Sequence, residues 1–95
     1  MNTLSEQEVR EGLKDRPGWS LEGARIVKEY RFGSFMEAIG FINRVAERAE
    51  AADHHPDLEN TYDRVRVGLS THSAGGVTQK DLDLAGEIEE CSGAS

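Results

Sequence analysis

Two stretches of this chain repeat with period two, and the stretch between them repeats with the period of a helix. Ile26, Lys28, Tyr30 and Phe32 fall on one side of an extended segment, and Val65, Val67 and Leu69 alternate with Arg64, Arg66 and Gly68. Between them Phe35, Ala38, Ile39, Ile42, Val45, Ala46 and Ala49 recur every three or four residues, the stripe of a helix buried on one face. Strands and a helix that are each apolar on one side must bury those sides against one another. That requirement points to a layered α+β fold.

Capping signals fix the remaining boundaries. Ser5 is followed three residues later by Glu8, with Leu4 and Val9 placed as a hydrophobic staple. Ser34 stands in the same relation to Glu37, and Thr78 to Asp81, with Val77 and Leu82 as staple. The first helix stops before the turn Asp15-Arg16-Pro17-Gly18. In the last, Leu82, Ala85 and Ile88 form the inner face. Trp19-Ser20-Leu21 leads through Glu22-Gly23 into the 26–32 strand, and a second strand pair runs from about Glu59 to Thr71. The order is helix, strand, strand, helix, strand, strand, helix. It predicts a two-layer sandwich with a four-stranded antiparallel sheet and helices on one face. Arginines occupy the other face, and the 65–69 strand is expected to present an edge that a second copy could pair. The tail Ser92-Gly93-Ala94-Ser95 reads as frayed.

Ninety-five residues, 37% hydrophobic and 31% charged, make one domain over residues 1–95. Such a chain buries about 60–65% of its unfolded surface, so burying a face against a second copy is expected to stabilise it. The net charge of −7 disfavours nucleic acid and anionic membranes as partners. No run approaches membrane-spanning length, and the start lacks the basic and apolar regions of a signal peptide. With a single cysteine, Cys91, there is no internal disulfide. The expected setting is cytoplasmic.

All three histidines lie between residues 54 and 72. Imidazole is the side chain that exchanges protons most readily near neutral pH, so clustered histidines point to acid/base chemistry or to a metal. His54 and His55 follow the second helix and precede Pro56, which favours an extended His55 and sends the two rings to different sides. Glu50 lies one helical turn before His54. His72 opens the loop Ser73-Ala74-Gly75-Gly76-Val77, whose glycines allow close approach of a ligand. The spacing His-His-x16-His matches no common zinc signature, and no metal site is expected. Asp81 is explained about equally well as a helix cap or as an orienting acid, Glu50 reads by itself as a solvated charge, and Trp19 by residue type as core.

The pattern Glu50-x3-His54-His55-Pro56, then Tyr62, His72 and Asp81, resembles the signature of pterin-4a-carbinolamine dehydratases. Leu69-Ser70-Thr71-His72 is similar to that family's strand-to-loop junction. Pro17-Gly18-Trp19 with Leu21-Glu22-Gly23 is similar to its N-terminal hairpin. The resemblance runs from about Leu4 to Glu90. It implies the αββαββα fold and the elimination of water from a 4a-hydroxytetrahydropterin to give quinonoid dihydropterin, which recycles the cofactor of aromatic amino-acid hydroxylases. It implies proton transfer by His54 and His72, a substrate contact from His55, and a pocket lined by Glu50, Trp19, Asp81, Ser70 and Thr71. It calls for no metal or redox cofactor, and it implies dimers, some paired into tetramers. Ala74 stands where animal members carry a cysteine, and Leu58 where an aromatic is common. The family also includes protein-binding members, a transcription-factor dimerisation cofactor and Rubisco assembly factors. A non-catalytic binding module is therefore the alternative, against which the retention of all three histidines counts.

Overall fold

The computed structural model describes residues 3–93. Helix α1 (Glu6–Leu13) is followed by strands β1 (Ser20–Glu22) and β2 (Arg25–Arg31), helix α2 (Phe35–Ala52), strands β3 (Asp57–Thr61) and β4 (Arg64–Leu69), and helix α3 (Gln79–Cys91). A short 3-10 turn, His72–Ala74, lies between β4 and α3. The sheet is antiparallel throughout, in the order β1-β2-β4-β3. Strand β4 is thus interior, paired on both sides. This corrects the expectation that the 65–69 strand offers an edge. The edges are β1 and β3, and β3 is polar and exposed except for partly buried Leu58. Period two identifies a one-sided strand but says nothing of its neighbours.

One core lies between sheet and helices. Ile26, Tyr30, Val65, Val67 and Leu69 of the sheet meet Val9 of α1, Ala38, Phe41 and Val45 of α2, and Leu82, Leu84, Ala85 and Ile88 of α3. All three helices therefore cover the same face. Aromatic rings tie the layers: Phe41 sits 4.8 Å from Tyr30 and 5.0 Å from Phe32, centroid to centroid. The far face carries cross-strand ion pairs, Arg66 to Glu22 at 2.6 Å and Arg25 to Asp57 at 3.4 Å. A Cβ on Gly68 would come within 2.9 Å of the Arg25 guanidinium, so the glycine lets that side chain cross the sheet.

The caps form as the sequence predicts, with differences of detail. At Ser5 both halves of the box are present. At Ser34 the hydroxyl accepts from the Glu37 amide at 3.1 Å. At Thr78 the backbone amide donates to Asp81 Oδ2 at 2.9 Å. Ser92 is not frayed: it is buried, and its hydroxyl donates to the Glu89 carbonyl at 2.8 Å. Gly93 after it is exposed, and Ala94 and Ser95, the remainder of the expected tail, lie outside the described residues.

At its C-terminal end α3 is clasped to the sheet by charge. Glu89 Oε1 accepts from Lys28 Nζ and from the Tyr30 hydroxyl, each at 2.6 Å, and Lys28 also donates to the Pro17 carbonyl. Burial pushes the Glu89 carboxyl up, but the bonds from Lys28 and Tyr30 outweigh it and hold the group below its ordinary 4.5. Because the folded value is lowered, the clasp contributes stability above the unfolded value and loses it as pH falls through the folded one. Lys28→Met should therefore be destabilised relative to the native chain most at pH 7. Urea titrations should show that gap narrowing steadily below pH 4.5.

Candidate active site

The end of α2 sets the position of the histidines. Asp53 adopts the left-handed conformation, φ 51 and ψ 43, one of the few non-glycine residue types that does so readily. Its amide and that of His54 bond back to the last turn, His54 to Ala49 at 3.0 Å. This reversal carries His54 under the start of α3, where Nε2 lies 2.5 Å from Asp81 Oδ1. It also leaves His55, not His54, beside Glu50, at 3.3 Å. The spacing of four residues between Glu50 and His54 would make them neighbours only if the helix continued, and the left-handed cap ends it.

Asp81 is the centre of the arrangement. It is fully buried, and its Oδ2 accepts from Thr71 Oγ1 and from the Thr78 amide, both at 2.9 Å. Thr71 and Thr78 share a hydroxyl–hydroxyl bond of 2.8 Å and are themselves buried. The carboxylate thus joins the end of α2, the end of β4 and the first turn of α3. Its two readings from sequence are not exclusive, since the same oxygens cap the helix and hold the imidazole. The His55–Glu50 pair differs in kind, with side chains 58% and 78% exposed.

His54, His55 and His72 line one hollow of about 340 Å³ together with Asp53, Ser70, Thr71, Ser73 and Lys80. That volume falls within the usual range of small-molecule sites, about 300–1,000 Å³. The 3-10 turn presents His72 to solvent, and the left-handed Gly75, φ 78, closes it. Chemically the hollow offers three imidazoles, one backed by a buried carboxylate, beside hydroxyls and an ammonium group. Among the described residues no three His, Cys, Asp or Glu side chains converge as a metal-binding group.

Of the residues picked from sequence, His54, His55, His72, Ser70 and Thr71 line this hollow, Asp81 lies directly behind it, and Glu50 reaches it through His55. Trp19 does not join them. It is buried edge-on against Tyr30, with centroids 6.4 Å apart, and Tyr30 bonds Glu89. Glu89 lies eight residues beyond Asp81, about 12 Å along α3. Asp53, Ser73 and Lys80 were not singled out from sequence. Their only signal is adjacency in the chain to His54, His72 and Asp81.

Comparison with known proteins places the chain in a family. Residues 2–91 match the family model described as pterin 4 alpha carbinolamine dehydratase. A protein of Chloroflexus aurantiacus named "Putative pterin-4-alpha-carbinolamine dehydratase" is 52% identical over 93 residues, covering 98% of this chain and all of that one. A Picosynechococcus protein of the same name is 48% identical, covering 92% of this chain and 95% of its own length. The crystal structure of a transcriptional coactivator/pterin dehydratase from Brucella melitensis superposes with a TM-score of 0.91 at 39% identity, over 97% of this chain and all of that one. A pterin dehydratase-like protein identified as a RuBisCO assembly factor in the alpha-carboxysome shares the fold, with a TM-score of 0.66 at 18% identity, over 81% of this chain and 89% of that one. The α+β sandwich is thus that of a pterin dehydratase-type domain. The chain belongs to the pterin 4 alpha carbinolamine dehydratase family.

The two histidine–carboxylate pairs should respond differently to mutation. Asp81→Ala removes the acceptor of two hydroxyl- or amide-borne hydrogens and of an imidazole in a buried place, and should cost about 3 kcal/mol or more. Glu50→Gln acts on an exposed pair and should change stability by less than about 0.5 kcal/mol. Urea unfolding of both variants at pH 7 measures the contrast.

Proposed function

We propose that this protein removes water from a 4a-hydroxytetrahydropterin, with His54 and His72 transferring the protons. In that reaction the C4a–oxygen bond breaks and the oxygen leaves as water after taking a proton. The nitrogen-5 lone pair forms the C4a=N5 double bond of quinonoid dihydropterin, and N5 gives up its hydrogen. One group must donate to the departing hydroxyl and another must accept from N5. Two imidazoles from different segments facing one hollow meet that need. The observation that carries the proposal is the attachment of His54 to buried Asp81, which orients one imidazole as acid/base catalysis demands. Exposed His55, beside Glu50, suits contact with the substrate. Ser70 can add a hydrogen bond from the wall of the hollow.

The same reading includes assembly into a homodimer or homotetramer in the cytoplasm, for which the unpaired backbone edges of β1 and β3 provide surfaces. Light scattering at micromolar concentration should give at least twice the 10.5 kDa of one chain. An unchanged monomer mass on raising protein and salt would contradict it. A protein-binding role is the second reading, supported by the sheet face of arginines paired with carboxylates. It requires a partner complex that survives substitution of both His54 and His72.

Stopped-flow dehydration of synthetic 4a-hydroxytetrahydropterin, corrected for the uncatalysed rate, tests the proposal. His54→Ala and His72→Ala should each lower kcat by about 10²–10⁴-fold. His55→Ala should act mainly on KM. Activity should persist through exhaustive chelation. Full kcat in both the His54 and the His72 variants would remove these residues from the mechanism.

A further inference from the structure

Thr71 lines the hollow, yet its hydroxyl is already engaged. The residue is buried, and Oγ1 lies 2.9 Å from Asp81 Oδ2 and 2.8 Å from Thr78 Oγ1. A hydroxyl has one hydrogen to give. Asp81 Oδ2 takes the Thr71 hydrogen, so the Thr78 hydroxyl must supply the hydrogen of the bond to Thr71. The direction of the chain is therefore fixed: Thr78 donates to Thr71, Thr71 donates to Asp81 Oδ2, and the Thr78 amide donates to the same oxygen. Only Oδ1 remains for His54.

From this chain we infer that Thr71, backed by Thr78, is a positioning residue that acts through Asp81 on His54 and does not serve the substrate with its hydroxyl. With Oδ2 taken by two donors, Oδ1 is the acceptor that the geometry leaves for an imidazole N–H. The shared proton then rests on His54 Nε2, which donates to Oδ1, and Nδ1 is the nitrogen left to exchange a proton with a ligand in the hollow. Among the described residues Nδ1 has no hydrogen-bond partner. The hydroxyls also moderate the carboxylate: charge drawn toward Thr71 is charge not pulling on the Nε2 proton. This role rests on the proposed acid/base function of His54, but its core concerns where a proton sits in the protein without substrate.

The test needs both readouts. Imidazole proton–nitrogen correlation spectra of the native chain, assigned with His54→Asn, should place the neutral-state hydrogen of His54 on Nε2. Thr71→Val keeps the shape but deletes the donor, so the Nε2 proton should move downfield as the carboxylate pulls harder. Thr71→Ser keeps the hydroxyl and should restore the native resonance. Asp53, His55, His72, Lys80, Asp83 and Glu87 share hollows with His54 and are unchanged in every variant, so they do not account for a difference. In the dehydration assay Thr71→Val should lose about tenfold or more in kcat with KM little altered. That size follows the 10–100-fold cost of removing outer hydrogen bonds at metal-bound histidines. Should Thr71→Val not fold, Thr78→Val removes the hydrogen donated to Thr71 and should shift the proton in the same direction by less. A hydrogen on Nδ1 in the native chain, or an unmoved Nε2 proton in the valine variant that folds, would overturn the inference. A rise in KM at constant kcat, reversed by serine, would return Thr71 to direct substrate contact. If the spectra behave as expected and no variant, nor the native chain, dehydrates the pterin, the positioning role stands and the dehydratase proposal falls.

Discussion

A carboxylate with no exposure to solvent needs a hydrogen-bond donor for each of its oxygens, and Asp81 finds its donors in three separate segments. The Thr78 amide holds the start of α3. Thr71 holds the end of β4. His54 holds the chain leaving α2. Each of these groups would be costly to leave unpaired, so the three segments meet at one point. The hollow exists because of that junction: the segments that converge on Asp81 also carry His55, His72 and Lys80, which form its walls.

The opposite end of α3 is fixed by other means. There Glu89 is gripped by Lys28 and Tyr30, and the aromatic group of Trp19, Tyr30, Phe32 and Phe41 fills the space between sheet and helix. Both ends of one helix are thus tied to the sheet by acids, one buried beside histidine and one half-buried beside lysine. The two ends differ in exposure. The lysine end is packed: Lys28 and Tyr30 both bond Glu89, and Trp19 is buried against Tyr30. The histidine end leaves two exposed imidazoles and part of a third open to solvent. The same fold occurs in a transcriptional coactivator/pterin dehydratase and, at 18% identity, in a pterin dehydratase-like protein identified as a RuBisCO assembly factor.

The amino-acid sequence alone determined the elements and the one-sided burial. The stripe from Phe35 to Ala49, the alternation at 64–69 and the three capping pairs are local patterns, read by the backbone within a few residues. It also placed the histidines at a helix end and a strand end, where the chain turns. Tertiary structure decided what local periodicity has no means to encode. It put β4 inside the sheet, because strand order depends on which partners are nearest across the fold and not on a strand's own pattern. It moved Glu50 from His54 to His55, because one left-handed residue, Asp53, ends the helical spacing. It sent Trp19 into the aromatic core, a distance along α3 from the hollow. And it brought Asp81 to His54 across 27 residues of chain, a contact made only when the helices have packed on the sheet and buried the carboxylate that joins them.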